Sequence, residues 1–169
     1  MSDSDAIQEV LNARARLLAQ RASDAGEQVQ VPRHRALVLR AGGEQYALAV
    51  EDVLQIGRAK KVTPIPGAPA SLAGIANLRG AVYSVMDLGE IFTGAVGLEN
   101  RRVIFLREAA MRIALLVEDV ESIVLYDEVR PLEAAAAHLV GMIPPSLPLL
   151  GISALLRHPA FIPGRKHTL

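Results

Sequence analysis

The feature that most limits the fold of this chain is a succession of short apolar runs of β type, several of them closed by Gly or Pro. Residues 36–40 and 45–50 are such runs, with Gly42-Gly43 between them as a hairpin turn. Residues 72–78 and 81–86 form a second pair around Arg79-Gly80. Three more follow at 102–106, 112–117 and 121–126, and 140–143 and 147–152 read as a last hairpin around Pro144-Pro145-Ser146. Residues 60–65 look extended, and Pro64, Pro66 and Pro69 then force a non-helical connection. Residues 51–56 read as one short helical turn. Asp87 opens a short helix that runs to Phe92, with Gly94 and Gly97 in the loop behind it, the Ala-rich stretch 132–139 is helical in character, and 153–158 is a terminal helical turn. About ten short strands at this spacing predict small barrels, mainly antiparallel. No long βαβ unit is visible, which argues against a doubly wound nucleotide-binding sheet.

The first 32 residues differ in kind. Ser4 or Asp5 supplies a cap with Gln8 completing a capping box, and Ile7, Val10, Leu11, Leu17 and Leu18 recur at helical spacing. Arg14, Arg16 and Arg21 lie towards the end that the helix dipole favours for cations. The polar stretch 23–30 contains Gly26 and reads as a linker closed by Pro32. The expected organisation is therefore an amphipathic helix and linker over 1–32, a domain over 33–158 and a tail over 159–169. Amphipathicity alone does not say whether the helical stripe packs on the domain or docks a partner.

Composition narrows the function classes. Eighteen basic and eighteen acidic residues give a formal net charge of zero, so the basic excess of a nucleic-acid binder is missing, as is an aromatic stacking platform. Cysteine is absent, which excludes disulfides, thiolate nucleophiles and Cys-ligated metals. The start Met-Ser-Asp-Ser-Asp carries no apolar signal region and no apolar run reaches membrane-spanning length; a cytoplasmic protein is the expectation.

Reactive groups do not converge in the sequence. His34, His138, His158 and His167 form no H-x-x-x-H or H-E-x-x-H pair and read as surface or boundary histidines. Glu118, Asp119 and Glu121 are the densest acidic cluster, but neighbouring strand residues point to opposite faces, so Glu118 and Asp119 are not an acid/base pair. There is no G-x-S-x-G elbow and no Walker-type glycine loop, and Gly94-Ala-Val-Gly97 is a plain loop. No enzyme, metal or cofactor is expected.

The informative stretch is Leu72-Ala-Gly-Ile-Ala-Asn-Leu-Arg-Gly-Ala-Val-Tyr-Ser-Val-Met-Asp-Leu88. Gly80 allows a turn of positive φ, and Asn77 suits the bonding of nearby backbone groups beside it. Arg79 ends an apolar run with a permanent charge. It is either a turn residue reaching water along its stem, or a group that meets a carboxylate of this fold or of a partner. The string G-I-A-N-L-R-G followed by an apolar strand and Asp-Leu resembles the signature of the CheW-like family of bacterial chemotaxis adaptors. Residues 44–50 resemble that family's second strand, Val53 and Ile56 its V-x-x-I helix, and residues 62–66 its proline entry. Residues 115–120 resemble its V-D-x-V strand end and 139–156 its closing hairpin, so the likeness runs collinearly over about 35–157.

The resemblance implies a pair of interleaved five-stranded SH3-like barrels with short helices. It implies a non-enzymatic adaptor that holds together a histidine kinase, through its regulatory domain, and the cytoplasmic hairpin of a chemoreceptor, and that meets the membrane only through receptors. Val53, Gly74, Arg79 and Ile123 match positions that the family uses around its docking groove, and Gln55, Ile56, Asn77, Gly80 and Ala114 belong to the same expected interface. Four residues depart from the pattern. Gln55 stands where many members carry a Glu that pairs with the signature Arg, which predicts that Arg79 lacks an internal carboxylate. Ala114 replaces a Gly, narrowing the groove by a methyl group; Ser84 replaces a Pro, and Glu118 an Asp. The extension before the domain resembles those of CheW-like proteins in non-flagellar systems such as type IV pilus control, a second pathway open to the chain.

Overall fold

The computed structural model describes residues 34–94, 101–107, 111–132, 136 and 138–159. The predicted N-terminal helix and linker, residues 133–135 and 137 of the Ala-rich stretch and residues 160–169 of the tail lie outside these residues. The elements are β1 (His34–Ala41), β2 (Glu44–Ala49), a 3-10 turn Val50–Asp52, β3 (Val53–Arg58), a second 3-10 turn Ala59–Lys61, β4 (Val62–Thr63), β5 (Leu72–Leu78) and β6 (Ala81–Asp87). Helix α1 (Leu88–Thr93), β7 (Arg102–Leu106), β8 (Ile113–Val117), β9 (Asp119–Tyr126), β10 (Leu139–Ile143), β11 (Leu147–Leu150) and α2 (Ile152–Leu155) complete them.

Two sheets result, ordered β10-β11-β2-β1-β9 and β3-β7-β8-β6-β5-β4. The first is built from the two ends of the domain and the second from everything between, so the chain interleaves them. The pairing is mainly antiparallel, with one parallel pair in each sheet, β2 with β11 and β6 with β8. Both sheets curl. Beyond β9, Arg130 exchanges two backbone hydrogen bonds of 2.8 Å with Met142 of β10, joining the opposite edges of the first sheet. In the second sheet β3 and β4 are opposite edges, yet only Ala59–Lys61 separates them in the chain, so the sheet must wrap round on itself. Register shifts at Val38/Leu39, Val53/Gln55, Leu72/Gly74 and Leu139/Gly141 supply the bulges that such curvature needs. The expected pair of five-stranded barrels is thus present, with the two-residue β4 as a sixth strand of the second.

Residues 51–56 do not form the predicted helical turn. The 3-10 turn stops at Asp52, and from Val53 the side chains alternate, with Val53, Gln55 and Gly57 half-buried and Leu54, Ile56 and Arg58 exposed. The V-x-x-I spacing suits either period, and pairing with β7 decides for the strand.

The core explains why β7 and β8 read as unbroken apolar runs: they are buried on both faces. Ile104, Leu106, Ile113, Leu115 and Val117 pack with Leu37, Leu39, Tyr46 and Leu48 of the first sheet in a core shared by both. Val103, Phe105, Ala114 and Leu116 point the other way, to Ala76, Tyr83 and Val85 inside the second sheet. Ala36, Ala47, Tyr126, Ile143 and Leu149 form the smaller interior of the first. Burial and a hydrogen bond to Glu44 push the Tyr46 phenol up to about 12, so it stays neutral in the shared core.

One charged pair is built into this interior. Asp87, only 4% exposed, accepts 2.5 and 2.6 Å hydrogen bonds from the Arg101 guanidinium, and its Oδ1 caps α1 at the Glu90 amide. Arg101 Nε is buried with no partner among the described residues. Replacing Asp87 with Ala strands a buried guanidinium and uncaps the helix, so urea denaturation should show a loss of about 3–5 kcal/mol. Replacing both Asp87 and Arg101 with apolar residues of similar volume should recover much of that loss.

Candidate protein-docking face

β3 and β9 are edge strands, one in each sheet. At one end Asp119 of β9 lies 3.6 Å from Arg102, the register partner of Arg58 at the end of β3. At the other, Tyr126 closes β9 within reach of Glu51 and Asp52, just ahead of β3; burial first, then these two carboxylates, raise its phenol pKa. Both strands carry exposed apolar side chains: Leu54 and Ile56, each 40% exposed, on β3, and Ile123 (58%) and Leu125 (57%) on β9. Leu54 is outward because it is the extra residue of the β3 bulge, with Val53 opposite Leu106 and Gln55 opposite Phe105. A row of this kind along two sheet edges is the surface that proteins use for association.

The β5–β6 hairpin reaches β3 from its other side. Leu78 pairs with Ala81, leaving Arg79 and Gly80 as a two-residue turn with φ of +51° and +83°. Positive φ at both central positions is the pattern of a type I′ turn, which follows strand twist. The second position is met by Gly; the first is held by an arginine. Asn77 Oδ1 accepts a 3.0 Å bond from the Gly80 amide and braces the turn. From there the Arg79 guanidinium donates to Gln55 Oε1 at 3.4 Å, a long bond to a neutral acceptor, and it makes no ion pair among the described residues. Arg79 therefore does find the side chain at position 55, though not a charge there.

The remaining expected residues divide. Gln55, Ile56, Asn77, Arg79 and Gly80 come together around β3, and Ile123 lies on β9 beyond it. Val53 is half-buried against the shared core. Ala114 is fully buried in the middle of the second sheet and offers a partner no surface, so its methyl group fills core space and not a groove. Gly74 is buried too, with φ +147°, and an added Cβ would stand 2.2 Å from the Thr63 carbonyl oxygen. Its role is the close approach of β5 to β4, which only glycine permits. Two departures are accommodated: the Ser84 amide donates to the Arg112 carbonyl at 2.9 Å, a bond proline could not make, and Glu118 accepts from the Gly43 amide at 3.1 Å. Leu54 and Leu125 were not singled out in the sequence; reading 53–58 as a strand would have exposed the first.

The profile of the CheW-like domain family matches residues 35–144. The chain belongs to this family. It is 30% identical over 94 residues to the chemotaxis protein CheW of Rhizobium meliloti (strain 1021), covering 53% of this chain and 58% of the relative. It is 37% identical over 54 residues to that of Bacillus subtilis (strain 168), covering 32% and 35%. Protein FrzA of Myxococcus xanthus matches at 29% over 139 residues, 75% of this chain and 87% of FrzA. The fold agrees with the crystal structure of the scaffolding protein TtCheW from Thermoanaerobacter tengcongensis, at a TM-score of 0.66 and 23% identity over 79% of this chain and 92% of that one.

Reactive side chains are dispersed. Glu121 is engaged by Arg40 and Gln45, Glu118 by Gly43, Asp119 by Arg102 and Asp87 by Arg101. Among the described residues no group of three or more His, Cys, Asp or Glu side chains is placed to hold a metal ion, and no helix is long and apolar enough to cross a membrane.

His138 stacks on Phe92 of α1 at 4.3 Å between ring centres and meets His158 edge-on at 6.0 Å, while Phe92 also contacts Tyr46. Burial first, then the neighbouring His158, lowers the His138 pKa. The folded chain thus holds this proton less tightly than the unfolded chain does. The contribution to stability is complete above the ordinary imidazole value of about 6.5 and is lost as pH falls from there through the depressed value. Melting temperature should fall as pH drops below about 6.5, and should fall less in a His138→Phe variant, which keeps a ring on Phe92 and loses the titration.

Proposed function

We propose that this chain is a non-enzymatic, cytoplasmic coupling protein of chemotaxis-type signalling. Through residues 33–158 it holds a histidine kinase, by its regulatory domain, beside the cytoplasmic hairpin of a chemoreceptor, and it is peripheral to the membrane only through such receptors. Membership of the CheW-like family supports this reading, as do the names of the relatives. The observation that carries it is the exposed apolar row along β3 and β9, flanked by an arginine in an unfavourable conformation. A non-glycine residue at positive φ costs on the order of 1 kcal/mol, and such strain is held where a side chain is needed in place. Gly or Asn would complete the turn more cheaply, so the guanidinium itself is what the turn presents. Strands that carry both edges, and carboxylates already engaged by the fold, suit docking better than catalysis.

A second reading, a CheW-like scaffold of a type IV pilus or other non-flagellar chemosensory pathway, draws support from the sequence match to FrzA, which spans 75% of this chain against 53% for the Rhizobium meliloti CheW. The two readings share the same docking face and differ in the partners encoded with the chain.

Calorimetry against the kinase regulatory domain and the receptor hairpin tests the proposal. Arg79→Glu should keep wild-type melting behaviour, because the residue is exposed, and lose on the order of 2 kcal/mol of binding to one of the two partners, where a desolvated carboxylate meets a like charge. Ile123→Glu should weaken a complex by a similar amount. Full affinity in both variants would remove this face from the interface, and a collapsed melting curve would make Arg79 a structural residue.

A further inference from the structure

The second sheet is open where it closes on itself. Only two residues of β4 pair with β5, at Ile75 and Ala76, so Asn77 and Leu78 have no strand on that side. Across the gap stands β3, whose hydrogen-bonded neighbour is β7 alone. The gap is a recess of about 310 Å³ with Ile56, Ala76, Leu78, Val103 and Phe105 as its apolar part and Arg58 and Lys61 at its margin. Arg79, reaching Gln55 from the hairpin, stands beside it. No carboxylate lines the recess. Arg58, Lys61 and Arg79 are all exposed, and none makes an ion pair among the described residues, whereas Arg40, Arg101, Arg102 and Arg130 each have a carboxylate.

We infer that this seam is a second docking site, for a segment of a partner protein that carries one apolar side chain flanked by carboxylates. The inference rests on the reading of the chain as a coupling protein and gives the chemistry of one contact. The volume accommodates a Leu- or Phe-sized group over Phe105. Three cations around one apolar recess select against a basic or neutral segment and favour an acidic one. The chain as a whole carries no net charge, so this selectivity is local and does not come from a general field. Ile56, exposed on β3, also lines the recess, so the two sites meet at this strand.

The probe is a synthetic acetylated, amidated peptide, Glu-Glu-Leu-Glu-Glu, titrated into the isotope-labelled full chain and followed by amide NMR shifts. Saturable shifts confined to residues 55–58, 61 and 76–80 are expected. Affinity should drop at least about tenfold in an R58E/K61E double variant whose melting curve matches wild type, and by a similar factor for the peptide with Gln in place of Glu. Equal binding by the Gln peptide or by the double variant, or shifts centred elsewhere, would overturn the proposal. Ile123→Glu lies outside the recess and should leave this titration unchanged. A failed titration with intact kinase and receptor complexes therefore defeats the recess alone, and lost complexes with an intact titration defeat the coupling reading alone.

Discussion

The structure depends on strands that are buried on both faces. β7 and β8 have no solvent side: alternate residues enter the shared core and the interior of the second sheet. A one-residue slip would leave each strand apolar on both faces, so alternation does not fix their register. The curl of the sheet and the Asp87–Arg101 pair supply what alternation cannot, since the pair ties the end of β6 to the residue just ahead of β7. The shared core also joins the two sheets into one unit. A partner that grips a strand of either sheet acts on a surface whose backing is common to both.

The interior absorbs most of the aliphatic residues of the central strands, and the large apolar side chains left outside include Leu54 and Ile56 on edge strand β3 and Ile123 and Leu125 on edge strand β9. β3 is such an edge, and it is short, bulged at Leu54 and ended by Arg58 and the lysines of the following turn, features that discourage indiscriminate edge pairing. The same features give it two unlike flanks. Leu54 and Ile56 add their apolar surface to that of Ile123 and Leu125 on β9, and Ile56 also lines the basic-rimmed seam towards β5. Under the proposed coupling role, a strand addressed from both sides would hold two partners with one rigid element.

Much of this was legible in the sequence. The hairpins around Gly42-Gly43 and Arg79-Gly80 were marked by turn residues between apolar runs, the start of the short helix by Asp87, and the family by the collinear signature. Residues 51–56 were misread because a Val and an Ile three apart fit a helical turn as well as a bulged strand, and only pairing with β7 separates the two. The burial of Ala114 and Gly74 was hidden for a related reason: in a run apolar on both faces, sequence does not show which small residue faces a groove and which a neighbouring backbone. The β3–β5 seam is a property of closure, set by how few residues β4 contributes, and Arg58 and Lys61 gain meaning only once that gap exists.

The central claim is that the chain works by docking partners along β3. Hydrogen exchange with and without the receptor hairpin or the kinase regulatory domain tests it most directly, because an edge strand exchanges readily until something covers it. The account predicts slowed exchange over residues 53–58 together with 119–126 or 77–80 in at least one of the complexes, with β7 and β8 unchanged. Protection confined to β10, β11 and α2, with β3 exchanging as in the free protein, would contradict it.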